Sequence, residues 1–241
     1  MLEAGFWGLV GGFALVLGAL AGVVRDVPTR VIGAVMAFGA GVLISALAFE
    51  LTAGGVERLG GREVVLGLLG GALTFYLGDR LLDSRGGTDR KRSGGQQAGS
   101  AAQGLVLGAL LDGIPESVAI GVSLVDGGTV SVAMVAAVFL SNVPEGMSAA
   151  TGLVKAGRTT KWVLGLWVVV AVVSGLASLL GYVALGDASP SVVAVIQAFA
   201  AGAILTMLAD TMMPEAFEDR GRSVGLFSTV GFALAFLLSQ V

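Results

Sequence analysis

The stretch Gly104-Leu105-Val106-Leu107-Gly108-Ala109-Leu110-Leu111-Asp112-Gly113-Ile114-Pro115-Glu116-Ser117-Val118-Ala119-Ile120-Gly121-Val122 decides how the rest of the chain is read. It belongs to an apolar run long enough to cross a bilayer, which takes about 20 residues, yet it holds Asp112, Pro115 and Glu116 near its middle. An ionised carboxylate at that depth costs about 2.5 kcal/mol or more on insertion scales, so it should face protein, water or an ion. Asp112 and Glu116 stand four residues apart and so share one helix face. A second apolar run carries the same device as Ser141-Asn142-Val143-Pro144-Glu145-Gly146, with Ser141 and Glu145 on one face. Pro115 and Pro144 lack an N–H, so each helix is expected to bend and to leave the carbonyls of Leu111 and Leu140 without a helical donor. Two such helices facing each other would gather carboxylates, a hydroxyl, an amide and free carbonyls. That is an oxygen-rich cage for a hard or borderline dication. A single buried Glu reads equally well as a protonated carboxyl bonded to a neighbouring helix. Two Pro-Glu pairs on adjacent antiparallel spans favour the metal.

Outward from this pair, the composition is that of a membrane protein. Of 241 residues, 55% are hydrophobic and only 13% are charged, against about 25% charged in a soluble domain. Gly, at 39 residues, lets membrane helices approach closely. The chain has no Cys and no His. Thiolate sites, disulfides and imidazole ligands are therefore excluded, and any bound cation must be held by oxygen, amide or thioether groups. The net charge of −3 says little about partners. The N-terminal Met1-Leu2-Glu3-Ala4 lacks a basic n-region, so the first apolar run is read as a span rather than a cleaved signal.

Apolar runs at 4–24, 30–53, 63–82, 101–124, 129–154, 161–185, 190–214 and 223–240 predict eight transmembrane helices in an all-α membrane protein. The loops after spans one, three, five and seven, with their helix ends, hold most of the basic residues, including Arg25, Arg30, Arg90, Lys91, Arg92, Lys155, Arg158 and Arg220. The other side has only Arg58 and Arg62. Positive residues stay inside, so both termini are expected outside and the location is expected to be the plasma (inner) membrane. The chain reads as a single transport domain, 1–241, with a flexible, solvated cytoplasmic loop at 83–100. Asp79 is expected at the cytoplasmic edge, paired with Arg80.

Sliding the sequence on itself by 161 positions matches Ala37 with Ala198, Phe38 with Phe199, Gly41 with Gly202, Glu57 with Glu218, Gly60 with Gly221 and Phe75 with Phe236, without gaps. Span two runs opposite to span seven in this topology, so the repeat is read as inverted, spans 1–3 against 6–8 around the central span 4/span 5 pair. Such repeats with a midplane site are the usual architecture of secondary transporters. Further intramembrane acids are Glu50, near the outer end of span two, and Asp210 and Glu215, which could line an inner exit.

These residues resemble the ZIP (Zrt/Irt-like) family of divalent metal transporters, over nearly the whole chain. The likeness rests on eight spans with outside termini, a long loop after span three, Pro115-Glu116 and Pro144-Glu145, and the phrase Phe199-Ala200-Ala201-Gly202-Ala203-Ile204-Leu205 leading to Met213-Pro214-Glu215, as in the bacterial branch. The resemblance implies cation uptake by an elevator-like or rocking movement, often as a homodimer. It also implies where the chain departs from the pattern: Asp112-Gly113 stand where the family has His-Asn, Ser141 and Asn142 replace the usual span-five ligands, and Ser178 falls on the span-six glutamate. One metal site would survive as Asp112, Glu116, Ser141 and Glu145, while the second keeps Asn142 and a shared Glu145. Loss of imidazole should tilt selection from Zn²⁺ toward Mn²⁺, Fe²⁺ or Mg²⁺.

The expected function is transport of a divalent metal ion of the Zn, Mn, Fe or Mg class, with the metal as substrate and no cofactor. The alternative is a degenerate, non-transporting relative that binds metal or a partner as a sensor or scaffold. No His-Glu-x-x-His, facing aspartate pair or nucleotide-binding loop occurs, so no enzyme is expected. Lipid and the metal are the expected partners, and nucleic acid is not.

Overall fold

The computed structural model describes residues 1–25, 27–84, 89–95, 97, 102–127 and 129–239. All its regular elements are helical: α1 (Leu2–Val24), α2 (Thr29–Ala46), α3 (Ala53–Leu59), α4 (Gly61–Asp83), α5 (Ala102–Gly127), α6 (Val132–Lys155), α7 (Thr160–Leu185), α8 (Pro190–Met207), α9 (Met213–Arg220) and α10 (Val224–Leu238). The starts of α6, α7 and α8 follow from side chains that satisfy the first amide groups. Ser131, Thr159 and Ser189 accept from the backbone N–H of Met134, Trp162 and Val192, and Pro190 occupies the first turn of α8, where its missing N–H is harmless. The end of α6 turns on Gly157, at φ 86°. Here Gly157 N–H donates to the carbonyl of Val154 and Arg158 N–H to that of Leu153, each at 2.9 Å. This paired closure of a helix end needs a left-handed residue, which Gly supplies. Helices α5 and α6 continue through Pro115 and Pro144.

Among the described residues, seven helical stretches are long and apolar enough to cross a membrane. The last, Pro190–Leu238, has 49 residues, which at about 1.5 Å per residue is more than twice a hydrocarbon core of about 30 Å. It turns at Gly221, where φ is 74°. Gly60, at φ 90°, makes the same kind of turn between α3 and α4. Two π-helical segments, Leu47–Thr52 and Leu208–Met212, precede those turns. In the first, Thr52 Oγ1 donates to the carbonyls of Leu47 at 3.0 Å and Ala48 at 2.8 Å.

Helix α1 packs against α6 and α7, α5 against α7, α2 against α10, and α4 against α8. The last two pairs are made by glycines that let backbones touch. A Cβ on Gly41 would lie 1.9 Å from the Ser228 carbonyl oxygen, and one on Gly231 would lie 2.1 Å from that of Phe38. Across α4 and α8, a Cβ added to Gly71 would lie 1.8 Å from the Phe199 carbonyl oxygen, and one added to Gly202 would lie 2.0 Å from that of Leu68.

The polarity is inverted relative to a water-soluble bundle. Leu66, Leu69, Leu180, Leu226 and Leu237 point outward with more than half their surface bare, while Asp112, Glu116, Glu145 and Glu215 are buried. Apolar rims around buried acids suit a bilayer.

Candidate metal site

Asp112 and Glu116 are placed by α5, and Ser141, Asn142 and Glu145 by α6. All five are buried. Asp112 and Glu145 are brought together around one cation of the chain itself. Lys91 Nζ lies 3.1 Å from Glu145 Oε2 and 3.5 Å from Asp112 Oδ2. Arg90 grips Asp112 with two bonds, Nε to Oδ2 at 2.8 Å and Nη2 to Oδ1 at 2.9 Å. Glu116 is 1% exposed, and neither of its carboxylate oxygens has a hydrogen-bond partner among the described residues. No three Asp or Glu groups among the described residues converge closely enough to hold a metal ion.

The neutral polar residues have other engagements. Ser141 Oγ donates to the Val138 carbonyl at 3.0 Å, within its own helix. Asn142 Nδ2 donates to the Gly11 carbonyl at 2.9 Å, tying α6 to α1. Ser178 Oγ donates to the Ala4 carbonyl at 2.8 Å, tying α7 to α1. Hydroxyl and amide oxygens keep acceptor capacity after donating, but the Asn142 and Ser178 donors serve helix packing.

The remaining acids lie elsewhere. Glu50 accepts from Ser131 Oγ at 2.7 Å, away from the Lys91 pair. Glu215 is buried and accepts from Ser93 N–H at 2.7 Å and from Ser148 Oγ at 3.3 Å. Asp210, Glu215, Arg90, Lys91 and Arg92 line one small cavity. The two acids named from the sequence as an exit are thus joined to the basic segment.

That segment corrects the picture of a wholly solvated loop. Arg90, Lys91, Ser93 and Gln97 are buried, while 85–88, 96 and 98–101 lie outside the described residues. Asp79 pairs with Arg90, Nη2 to Oδ1 at 2.5 Å, whereas Arg80 Nη1 donates to the Tyr76 hydroxyl at 3.2 Å. The expected Asp79–Arg80 pair gives way because Arg90 offers Asp79 a buried partner. Burial works against the Arg90 charge, but Asp112 and Asp79 outweigh it and hold the guanidinium above its ordinary pKa. Composition explained Arg90-Lys91-Arg92 as a mark of sidedness. The signal that could have placed them was three consecutive cations facing an excess of buried acids.

A many-helix apolar bundle with buried acids on α5 and α6 defines a polytopic membrane protein. The family model described as ZIP zinc transporter matches residues 82–239, roughly two thirds of the chain, and the protein belongs to that family. It is accordingly a multi-pass metal transporter with a divalent metal substrate, not an enzyme. No curated protein sequence matches it significantly.

Proposed function

We propose that the protein carries a divalent cation of the Mn, Fe or Zn class across the plasma membrane through Asp112, Glu116 and Glu145 on α5 and α6, with Ser141 and Asn142 as supplementary oxygen donors. The observation that carries this reading is Glu116, a carboxylate fully inside the bundle with no partner among the described residues, beside two acids already gathered around a cation. A buried carboxyl persists unpaired only where protonation or a visiting ion offsets its desolvation.

The stretch Pro190–Leu238 is read as two spans folded at Gly221, giving eight, with both termini outside. An inverted repeat is supported by features separated by the same 161 positions as the sequence matches. The π segments begin at Leu47 and Leu208, the left-handed turns fall at Gly60 and Gly221, and the pair α2–α10 maps onto α8–α4. Two halves of one design can exchange inward- and outward-open shapes around a fixed site. A homodimer remains part of the reading on family grounds.

The test is uptake of Mn²⁺, Fe²⁺, Zn²⁺, Cd²⁺ and Mg²⁺ into liposomes holding the purified chain, with Glu116→Ala/Glu145→Ala as control. Saturable flux lost in the control supports transport through this site. The seated Lys91 favours one other reading, a relative that binds metal or a partner without moving it. Metal binding with no flux for any ion would establish that instead.

A further inference from the structure

The basic segment is not draped over the acids but built into them. Arg90 binds Asp112 and Asp79, Lys91 binds Glu145 and Asp112, and Arg92 binds Glu215 and Glu218. Its backbone is held too. Ser148 Oγ donates to the Lys91 carbonyl at 2.6 Å, Ser93 N–H donates to Glu215 at 2.7 Å, and Ser93 Oγ donates to Asp219 at 2.8 Å.

Two glycines make the seat. A Cβ on Gly108 of α5 would stand 2.3 Å from Arg90 Cδ, and one on Gly152 of α6 would stand 1.8 Å from the Arg92 carbonyl oxygen. A larger residue at Gly152 would displace the backbone of the segment, and one at Gly108 would displace the Arg90 side chain from its place.

Within this seat the three cations differ. Arg90 is a rigid fork doubly bonded to Asp112. Lys91 is a compact point charge on a flexible stem. Its Nζ is within ion-pair distance of Glu145 but out of line for a hydrogen bond, and it has no hydrogen-bond partner among the described residues. It satisfies the charge of the site and little of its geometry. A dication offers Glu145, Asp112 and the unpartnered Glu116 twice the charge at one point, with direct oxygen coordination.

We propose that Lys91 is a tethered competitor for the transported cation: its ammonium holds the place between Asp112 and Glu145, and the metal gains the site only by unseating the 89–95 segment. The inference rests on the transport-site reading above. Its consequence is that the empty site is never left as bare negative charge. The chain supplies its own cation when the metal has gone, and metal affinity is set by a contest with a residue of the same molecule.

The experiment is equilibrium binding of Mn²⁺ to the full chain in detergent, for the wild type, Lys91→Met and Lys91→Arg. Removing the competing charge raises the fraction of binding-competent protein, so Lys91→Met is expected to bind Mn²⁺ at least about tenfold more tightly, and Lys91→Arg no more tightly than wild type. The chain has no cysteine, so Ser93→Cys gives a second readout with Lys91 intact. Ser93 is 1% exposed in the seated segment, and its maleimide labelling should accelerate when Mn²⁺ is added. Equal Mn²⁺ affinity in wild type and Lys91→Met, or Mn²⁺ binding with an unchanged labelling rate, overturns the inference and leaves the transport site standing. Absence of Mn²⁺ binding from both wild type and Lys91→Met overturns the site and the inference together.

Discussion

Arg90 and Asp112 form a bidentate pair across 22 residues of sequence, entirely inside the bundle. Removing one member of a buried pair leaves the other uncompensated, at a cost of about 3–5 kcal/mol. Asp112→Asn should therefore lower thermal stability in detergent by a shift corresponding to a few kcal/mol, although Asp79 retains part of the Arg90 charge. A melting temperature equal to wild type would show that the pair contributes nothing to the fold.

Glu116 should behave in the opposite way. It has no hydrogen-bond partner among the described residues, so Glu116→Gln removes a buried ionisable group without orphaning a partner. Stability should hold or rise, while metal uptake falls by about tenfold or more, the loss of one charged ligand being worth at least ~1.4 kcal/mol. Unfolding and liposome flux measured on the same preparation separate the two effects. Reduced stability with normal flux would make Glu116 a structural residue.

Asn142 tests whether a predicted ligand is a tether. Asn142→Ala breaks the bond from Nδ2 to the Gly11 carbonyl and should destabilise the α1–α6 contact by about 1–3 kcal/mol. Half-saturating Mn²⁺ for uptake should move less than threefold, roughly 0.6 kcal/mol. A tenfold rise would make Asn142 a principal ligand rather than a supplementary donor.

Gly41→Ala and Gly202→Ala should each destabilise by about 1–3 kcal/mol, since the added methyl meets a carbonyl oxygen and the helices must part; the contacts are 1.9 Å and 2.0 Å before relaxation. Gly165 of α7 has nothing within 4 Å of an added Cβ, so Gly165→Ala should be neutral or stabilising by about 0.5–1 kcal/mol. Equal melting temperatures for all three variants would refute the close-packed α2–α10 and α4–α8 contacts.

Metal choice follows from the donor set. A site of carboxylates without imidazole or thiolate should lose the preference for Zn²⁺ that nitrogen and sulfur ligands give. In competition uptake, Mn²⁺ is expected to be inhibited only modestly by equimolar Zn²⁺. Near-complete inhibition would mean that the all-oxygen description of the site is wrong.

Much of this was legible because the bilayer leaves a chain few options. With no water to satisfy its backbone, a long apolar run must be a helix, so Leu2–Val24, Thr160–Leu185 and their fellows follow from length and composition. The cost of burying Asp112, Glu116 and Glu145 marks them as inward-facing from sequence, and they are buried. What failed was local reasoning at the polar segments. Sequence proximity pairs Asp79 with its chain neighbour Arg80 and leaves Arg90-Lys91-Arg92 to solvent, because both readings weigh charge by position along the chain.

The sequence by itself determined that the chain is a bundle of membrane helices with acids on two central spans, since hydrophobic length and the price of a buried charge act on each segment alone. Only the tertiary structure decided which charges meet. Lys91 and Glu145 are far apart in the chain, and their encounter depends on Gly108 and Gly152 opening a seat between α5 and α6. Electrostatic attraction reaches whatever packing brings near, and packing is a property of the folded whole.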